Sequence, residues 1–183
     1  MNRKMLVMKT ERLILVDKND RALGEGEKMK THREGVLHRA FSIFVFDDRN
    51  CLLLQKRAQT KYHSGGLWSN TCCGHPRPGE ATQDAAHRRL REEMNFNCEL
   101  EKAFAFLYRA ELNNNLIEHE YDHVFFGKFN GDPKPDVEEV EDWKWVSLDE
   151  LKQDLRERPE IFSFWLRVAL ERNEWRSLVL SNQ

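Results

Sequence analysis

Hydrophobic and polar positions change period several times along the chain, and each change predicts an element. The short apolar run Arg12–Val16 stops at Lys18-Asn19-Asp20, which predicts a strand closed by a turn. Ala40–Phe46 is apolar and aromatic, Asp47-Asp48-Arg49-Asn50 is turn-forming, and Cys51–Leu54 is apolar again, the pattern of a β-hairpin. From Tyr62 to Pro78 five glycines and prolines make a loop-rich stretch. Gly79–Met94 turns helical: Ala81 and Ala85 are four apart, Ala86, Leu90 and Met94 follow the same step, and Asp84 and Arg88 form an i,i+4 pair in the favourable order. Phe104–Leu112 and Glu118–Phe129 predict strands either side of an Asn113-Asn114-Asn115 turn, and Trp143–Val146 a further strand. Ser147-Leu148-Asp149-Glu150 is a capping box that opens a helix ending near Pro159. Phe162–Trp175 predicts a last helix with Phe162, Trp165, Leu166 and Ala169 on one face. Strands in the middle and helices around them predict an α/β (α+β) sandwich with a mixed sheet, in a single domain over residues 1–183.

Composition narrows the class of function. With 183 residues, 40% hydrophobic and 33% charged, the chain reads as a soluble globular protein with a real core. A net charge of −2 gives no long-range attraction to nucleic acid or an anionic membrane, so neither is an expected partner. Any anionic ligand must meet a local cluster of basic residues. No apolar run approaches the roughly 18–20 residues a membrane span needs, and the charged start MNRKMLVMKTERLILV is unlike a secretory signal, so a cytoplasmic location is expected. The cysteines are Cys51, Cys72, Cys73 and Cys98; two are neighbours and none forms a CxxC pair, so they predict reduced thiols rather than a disulfide framework or zinc ribbon.

Candidate chemistry concentrates in a few segments. His32 and His38 lie in THREGVLHRAFS, just before the first hairpin strand, and His75 lies in the loop NTCCGHPRPGE. A lone histidine is more often a surface or packing residue than a ligand. In IEHEYDHVF, strand alternation puts Glu118 and Glu120 on one face, and that face runs on into Val124 and Phe126, which favours burial. Two like charges side by side are costly when buried. Either this is an edge strand with its acidic face in water, or a cation neutralises the pair. Three imidazoles and two carboxylates would suit Mn²⁺, Zn²⁺ or Fe²⁺. Glu93 falls on the packed side of its helix, either paired with Arg89 one turn earlier or as a ligand for a Mg²⁺ that bridges to phosphate oxygens. Arg57 and Lys61 are four apart in QKRAQTKYHSGG, where solvated loop charges are the ordinary reading. Trp165 in FSFWLRVAL has the spacing of a core residue.

Gly74, five residues, Glu80, seven residues and then Arg88-Arg89-Leu90-Arg91-Glu92-Glu93 resembles a Nudix box, with Arg89 where a glutamate belongs and Asn95 where a glycine belongs. Both departures weigh against ordinary Nudix pyrophosphate hydrolysis. Together with His32…His38 before AFS, NTCCGHP, YRAEL, EHEYDHVF and FSFW, the altered box resembles the type I isopentenyl-diphosphate isomerases, over about Lys28 to Trp165. The resemblance implies a Nudix-like α/β/α sandwich and interconversion of isopentenyl and dimethylallyl diphosphate by proton transfer. It implies that His32, His38, His75, Glu118 and Glu120 bind a divalent metal, Mn²⁺ or Zn²⁺, and that Glu93 holds a Mg²⁺ on the substrate diphosphate. Cys73 and Glu120 would be the acid/base pair, Cys72 packing, Tyr108 a hydrogen-bond partner near Glu120, and Trp165 an indole face over the isoprenoid carbons. Lys28, Arg57, Lys61 and Arg89 would bind the diphosphate. The N-terminal segment and the Tyr62–Gly66 loop are candidate lids, and the protein is expected as a monomer or homodimer. A Nudix-type diphosphate hydrolase and a non-catalytic metal-binding scaffold are the competing readings.

Overall fold

The structure, a computed structural model, describes residues 11–175; the N-terminal candidate lid lies largely outside them. Nine strands form one mixed sheet among the described residues. In chain order they are β1 (Arg12–Val16), β2 (Ala22–Glu27), β3 (His38–Phe46), β4 (Leu52–Arg57), β5 (Trp68–Ser69), β6 (Cys72–Gly74), β7 (Leu100–Glu111), β8 (Ile117–Lys128) and β9 (Val140–Val146). Helices α1 (Lys28–Glu34), α2 (Thr82–Met94), α3 (Leu148–Glu157) and α4 (Phe164–Glu171) complete the fold. The parallel member is β8, which runs alongside β3 from His38–Glu120 to Phe46–Lys128 and pairs antiparallel with β7 on its other edge.

Alternation along β3 divides the core in two. Phe41, Ile43 and Val45 pack with Ala85, Ala86, Leu90 and Met94 of α2 on one face. Phe44 packs on the other with Leu151 of α3 and Trp165, Leu166 and Ala169 of α4. The four-residue step read in α2 is thus its buried stripe from Ala86 onward, whereas Ala81 is exposed and precedes the helix. Gly79 cannot start that helix, because its φ of 80° is left-handed. At the far end Asn95 closes α2 with φ 59°, so the residue standing in place of glycine still takes the left-handed conformation that a C-cap needs.

Several elements differ from the sequence expectations. β2 and α1 have no apolar period: β2 is mostly exposed, and α1 buries only Thr31 and His32. α1 is instead fixed by its ends. The Glu27 carboxylate accepts the Met29 and Lys30 N–H groups, and Gly35 with φ 62° closes the helix. His32 therefore sits on a helix, and His38 on β3 itself. β4 runs on past Leu54 to Arg57, with Gln55 and Arg57 buried despite their polarity. The Tyr62–Pro78 stretch contains β5 and β6 rather than loop alone. Phe162 lies outside the last helix, in a short parallel bridge to Trp68. The capping box at Ser147 is present in full and starts α3 as its sequence predicts.

The β3–β4 hairpin pairs in register only at Phe46–Leu52. Beyond that point the strands part, and buried polar side chains occupy the split. Thr71 donates its hydroxyl to the Leu53 carbonyl (2.7 Å) and accepts the Val45 N–H (2.9 Å). Asn70 donates to the carbonyls of Ile43 (3.1 Å) and Cys72 (2.7 Å). These bonds bring β6 onto β3, with Cys73 opposite Ser42. Thr71→Val keeps the shape and removes both bonds, leaving two buried backbone groups unpaired. It should lower stability by about 1–3 kcal/mol, read as a reduced urea midpoint with unchanged slope; an unaltered midpoint would contradict the bridging role.

Candidate active site

The site grows from one face of β8. Glu118, Glu120 and Asp122 alternate along it and are 3%, 7% and 1% exposed. His119, between the two glutamates, bonds elsewhere, to the Gly35 carbonyl. Sheet register then supplies partners for Glu120. Parallel pairing sets His38 beside it from β3, and antiparallel pairing sets Tyr108 beside it from β7. The Tyr108 hydroxyl donates to Glu120 Oε2 (2.7 Å), and His75 Nε2 lies 2.9 Å and His38 Nε2 3.6 Å from Oε1. His32, from α1, places Nε2 3.5 Å from Glu118 Oε2.

The five ligand atoms of His32, His38, His75, Glu118 and Glu120 all lie within 4.8 Å of one another. Two of the rings are oriented by backbone: His32 Nδ1–H donates to the Lys28 carbonyl (2.7 Å) and His38 Nδ1–H to the Val36 carbonyl (2.8 Å). A carbonyl only accepts, so each bond leaves Nε2 as the atom turned to the cage. His32 Nε2, His38 Nε2 and Glu118 Oε2 are buried and have no hydrogen-bond partner. Orphaned polar atoms converging from separate elements can serve as the donor set of a cation site. Three imidazoles with two carboxylates fit a borderline divalent metal.

The same contacts set the electrostatics, and against the effect of burial Glu118 draws His32 above its ordinary value. Burial alone would raise the Glu118 carboxyl, but His32 and His63 hold it well below its ordinary value. Burial and the neighbouring Glu118 charge both work to raise Glu120, yet His38 and His75 leave it below its ordinary value. Burial pushes His75 down to about 4, so this imidazole is neutral at pH 7, as a ligand must be. Asp122 goes the other way. Burial and the Glu120 charge push its carboxyl well above the usual range, and the Ser42 hydroxyl bonds its Oδ2 at 2.8 Å.

Cys73, Tyr108, Glu120 and Trp165 line a single cavity of about 260 Å³. Alternation in β6 separates the two neighbouring thiols: Cys72 is fully buried in the α2-side core, whereas Cys73 is half-buried at the cavity. Burial pushes the Cys73 thiol up to about 12, against the pull of Arg57, whose Nη1 lies 3.9 Å from Sγ. Trp165 is core and cavity wall at once. Its indole N–H donates to Ser69 Oγ (2.9 Å) and Asn70 Oδ1 (3.0 Å), and the Arg57 guanidinium lies 5.2 Å from its ring centroid.

Lys28, Arg57, Lys61 and Arg89 reach the same cavity. Lys28 pairs with Glu11 (2.8 Å), Lys61 with Glu139, and Arg89 with Glu92 (2.7 Å), Glu93 and Glu139 (3.2 Å). Glu93 is buried, with Gln55 Nε2 on Oε2 (2.9 Å) and Arg89 on Oε1. Burial would raise its carboxyl, but Arg89 and Lys61 hold it below its ordinary value. Every site residue named from the sequence therefore borders this cavity or its cage. His63, Asp122 and Glu139 were not anticipated. Asp122 simply continues the alternation of Glu118 and Glu120, whereas His63 and Glu139 lie in segments without periodicity.

The NUDIX domain family matches residues 36–166. The crystal structure of a Deinococcus radiodurans protein superimposes with a TM-score of 0.72 at 16% identity, covering 86% of this chain and 96% of that one. A MutT NUDIX hydrolase from Burkholderia pseudomallei gives 0.60 at 21% identity, covering 75% and 98%. At such identities the likeness establishes the fold alone: this is a NUDIX-fold protein. Sequence carries the assignment further. Isopentenyl-diphosphate Delta-isomerase 1 of Aromatoleum aromaticum is 60% identical over 162 residues, 88% of this chain and 92% of the relative. Isopentenyl-diphosphate Delta-isomerase 2 of Photorhabdus laumondii is 52% identical over 175 residues, covering 92% and 99%. The chain belongs to the isopentenyl-diphosphate Delta-isomerase family.

The raised Cys73 pKa has a direct consequence. A free cysteine titrates near about 8.5, so at pH 8 Cys73 should carry far less thiolate than a free thiol. Iodoacetamide should modify it slowly, with a rate that climbs through pH 10 without levelling, followed by peptide mass spectrometry at that residue. A plateau below pH 9 would show that Arg57 outweighs burial.

Proposed function

We propose that the chain interconverts isopentenyl diphosphate and dimethylallyl diphosphate, an isomerisation in isoprenoid biosynthesis, with Cys73 and Glu120 as the two acid/base groups. The observation that carries this reading is that a neutral thiol and a caged carboxylate share one cavity. They arrive on β6 and β8, the two strands that pair with β3. The reaction is redox-neutral. One of the pair, Cys73 or Glu120, gives a proton to the terminal methylene carbon of the alkene, and the other takes one from the allylic methylene on the diphosphate side of the tertiary carbon, so the double bond moves without gain or loss of atoms.

Protonating an unactivated alkene creates positive charge on a tertiary carbon. A divalent metal held by His32, His38, His75, Glu118 and Glu120 would supply, when bound, positive charge that makes Glu120 a stronger acid in the half of the cycle in which it carries the proton. Tyr108, bonded to Glu120 Oε2, keeps that carboxyl oriented. The Trp165 indole faces the developing cation, and such a contact is worth about 2 kcal/mol when water is excluded. The Tyr62–Gly66 loop helps to keep water out, which matters because a carbocation would otherwise be hydrated.

Lys28, Arg57, Lys61 and Arg89 offset the diphosphate charge. Glu93 would hold a Mg²⁺ there. Each of its oxygens already accepts one donor, and a carboxylate offers about four acceptor sites in all, so capacity remains. Against a hydrolase, Arg89 places a guanidinium on Glu92 and Glu93, where a further carboxylate would be needed. The cytoplasm is the proposed compartment.

In deuterated water with Mg²⁺ and Mn²⁺, the purified protein should convert isopentenyl diphosphate to product carrying deuterium on carbon, read by NMR. Cys73→Ala and Glu120→Gln should each lower turnover by about 10²–10⁴-fold with an unchanged circular dichroism spectrum. Unlabelled product would remove proton addition and elimination. Phosphate release from nucleotides without any isomer would favour the hydrolase.

A further inference from the structure

His63 is 6% exposed and belongs to the loop between β4 and β5, yet its Nε2 lies 2.9 Å from Glu118 Oε1. It stands outside the five-residue group whose ligand atoms converge. The two cage carboxylates are arranged alike. Glu120 turns Oε1 to His38 and His75 and gives Oε2 to the Tyr108 hydroxyl. Glu118 turns Oε2 toward His32, where that oxygen has no hydrogen-bond partner, and gives Oε1 to His63.

We propose that His63 is the positioning residue for Glu118, its Nε2–H holding Oε1 so that Oε2 points into the metal cage, the part Tyr108 plays for Glu120. The imidazole is itself held. The Ser64 hydroxyl lies 3.3 Å from Nδ1 and donates to it once Nε2 carries the proton. Arg57 Nη2 bonds the His63 carbonyl at 3.3 Å. The ring packs edge-on against Tyr62 at 4.3 Å and against Trp165 at 5.7 Å. His63 thus fastens the cage to the cavity wall that carries Trp165. Ligating carboxylates need such outer partners, and losing one typically costs about 10–100-fold in metal affinity. The inference rests on reading the His/Glu cage as a metal site.

The test is Mn²⁺ affinity, measured by competition with a chelator, for the unmodified protein, His63→Phe and His63→Gln. Phe keeps the packing against Trp165 and Tyr62 but has no N–H; Gln restores a donor at a similar reach. His63→Phe should bind about 10–100-fold more weakly, and His63→Gln should recover to within a few-fold. The Co²⁺ absorption spectrum should be the same in all three, because the ligand set is unchanged. Equal affinity in His63→Phe would overturn the proposal, as would His63→Gln binding no better than His63→Phe, which would reduce the ring to packing. A spectrum altered in both variants would make His63 a ligand instead. No Mn²⁺ uptake by the unmodified protein would remove the cage reading itself, a failure distinct from any difference among variants.

Discussion

Three carboxylates on one buried face of a strand are the constraint around which this protein is arranged. Alternate residues on a strand are about 7 Å apart. The Glu118 and Glu120 ligand oxygens come closer still, within 4.8 Å, and with an effective dielectric of about 20 two charges at that distance repel by about 3 kcal/mol. That exceeds the net worth of a typical hydrogen bond, about 1 kcal/mol, and desolvation adds to it. Each group is settled in a different way. Glu118 has the His63 imidazole on one oxygen and leaves the other turned to the cage, Glu120 has the His75 imidazole and the Tyr108 phenol, and burial and the Glu120 charge push the Asp122 carboxyl, beside the Ser42 hydroxyl, well above the usual range. A cation among His32, His38, His75, Glu118 and Glu120 would offset the charge that two carboxylates bring into one cage.

The sheet is what makes those partners available. Parallel pairing of β8 with β3 aligns Glu120 with His38, and antiparallel pairing with β7 aligns it with Tyr108. A slip of one residue would turn all three carboxylates to the opposite face. The early parting of β3 and β4 matters equally. A fully zipped hairpin would leave no place for Asn70 and Thr71, whose side chains fill the split and support the backbone pairing of β6 with β3. With β6 in place, the pleat alone decides which thiol meets the cavity: Cys72 turns into the α2 core and Cys73 to the site.

What could be read in the sequence follows from what periodicity can carry. The alternation that exposed Glu118 and Glu120 also brackets Asp122, and the four-residue step of Ala86, Leu90 and Met94 is the buried stripe of α2. The capping box at Ser147 depends on four consecutive residues and was legible for that reason. Helix α1 was not, because its only buried side chains are Thr31 and His32 and its stability comes from Glu27 and Gly35 at its ends. His63 and Glu139 act on partners far away in the chain, so no local spacing points to them. For Trp165 the packing reading holds, and the same side chain also lines the cavity, so its spacing alone could not separate a core residue from a site residue. Which histidines belong with which carboxylates came from the family resemblance, not from spacing.

The basic wall of the cavity gives the altered Nudix box a physical reading. Arg89 bridges Glu92, Glu93 and Glu139, and Glu139 also holds Lys61. The two cations thus share one carboxylate near the cavity surface, while Glu93 is engaged from below by Gln55. On the proposed reading, a diphosphate entering here competes with Glu139 for Lys61 and Arg89, and Arg89 need not leave Glu93 to meet it. A glutamate at position 89 would instead add a further negative charge beside Glu93, suited to gathering metals on a bond to be hydrolysed. On the same reading, with arginine there the wall would hold the diphosphate and leave it intact, and Cys73 and Glu120, which line the same cavity, would be left to transfer protons.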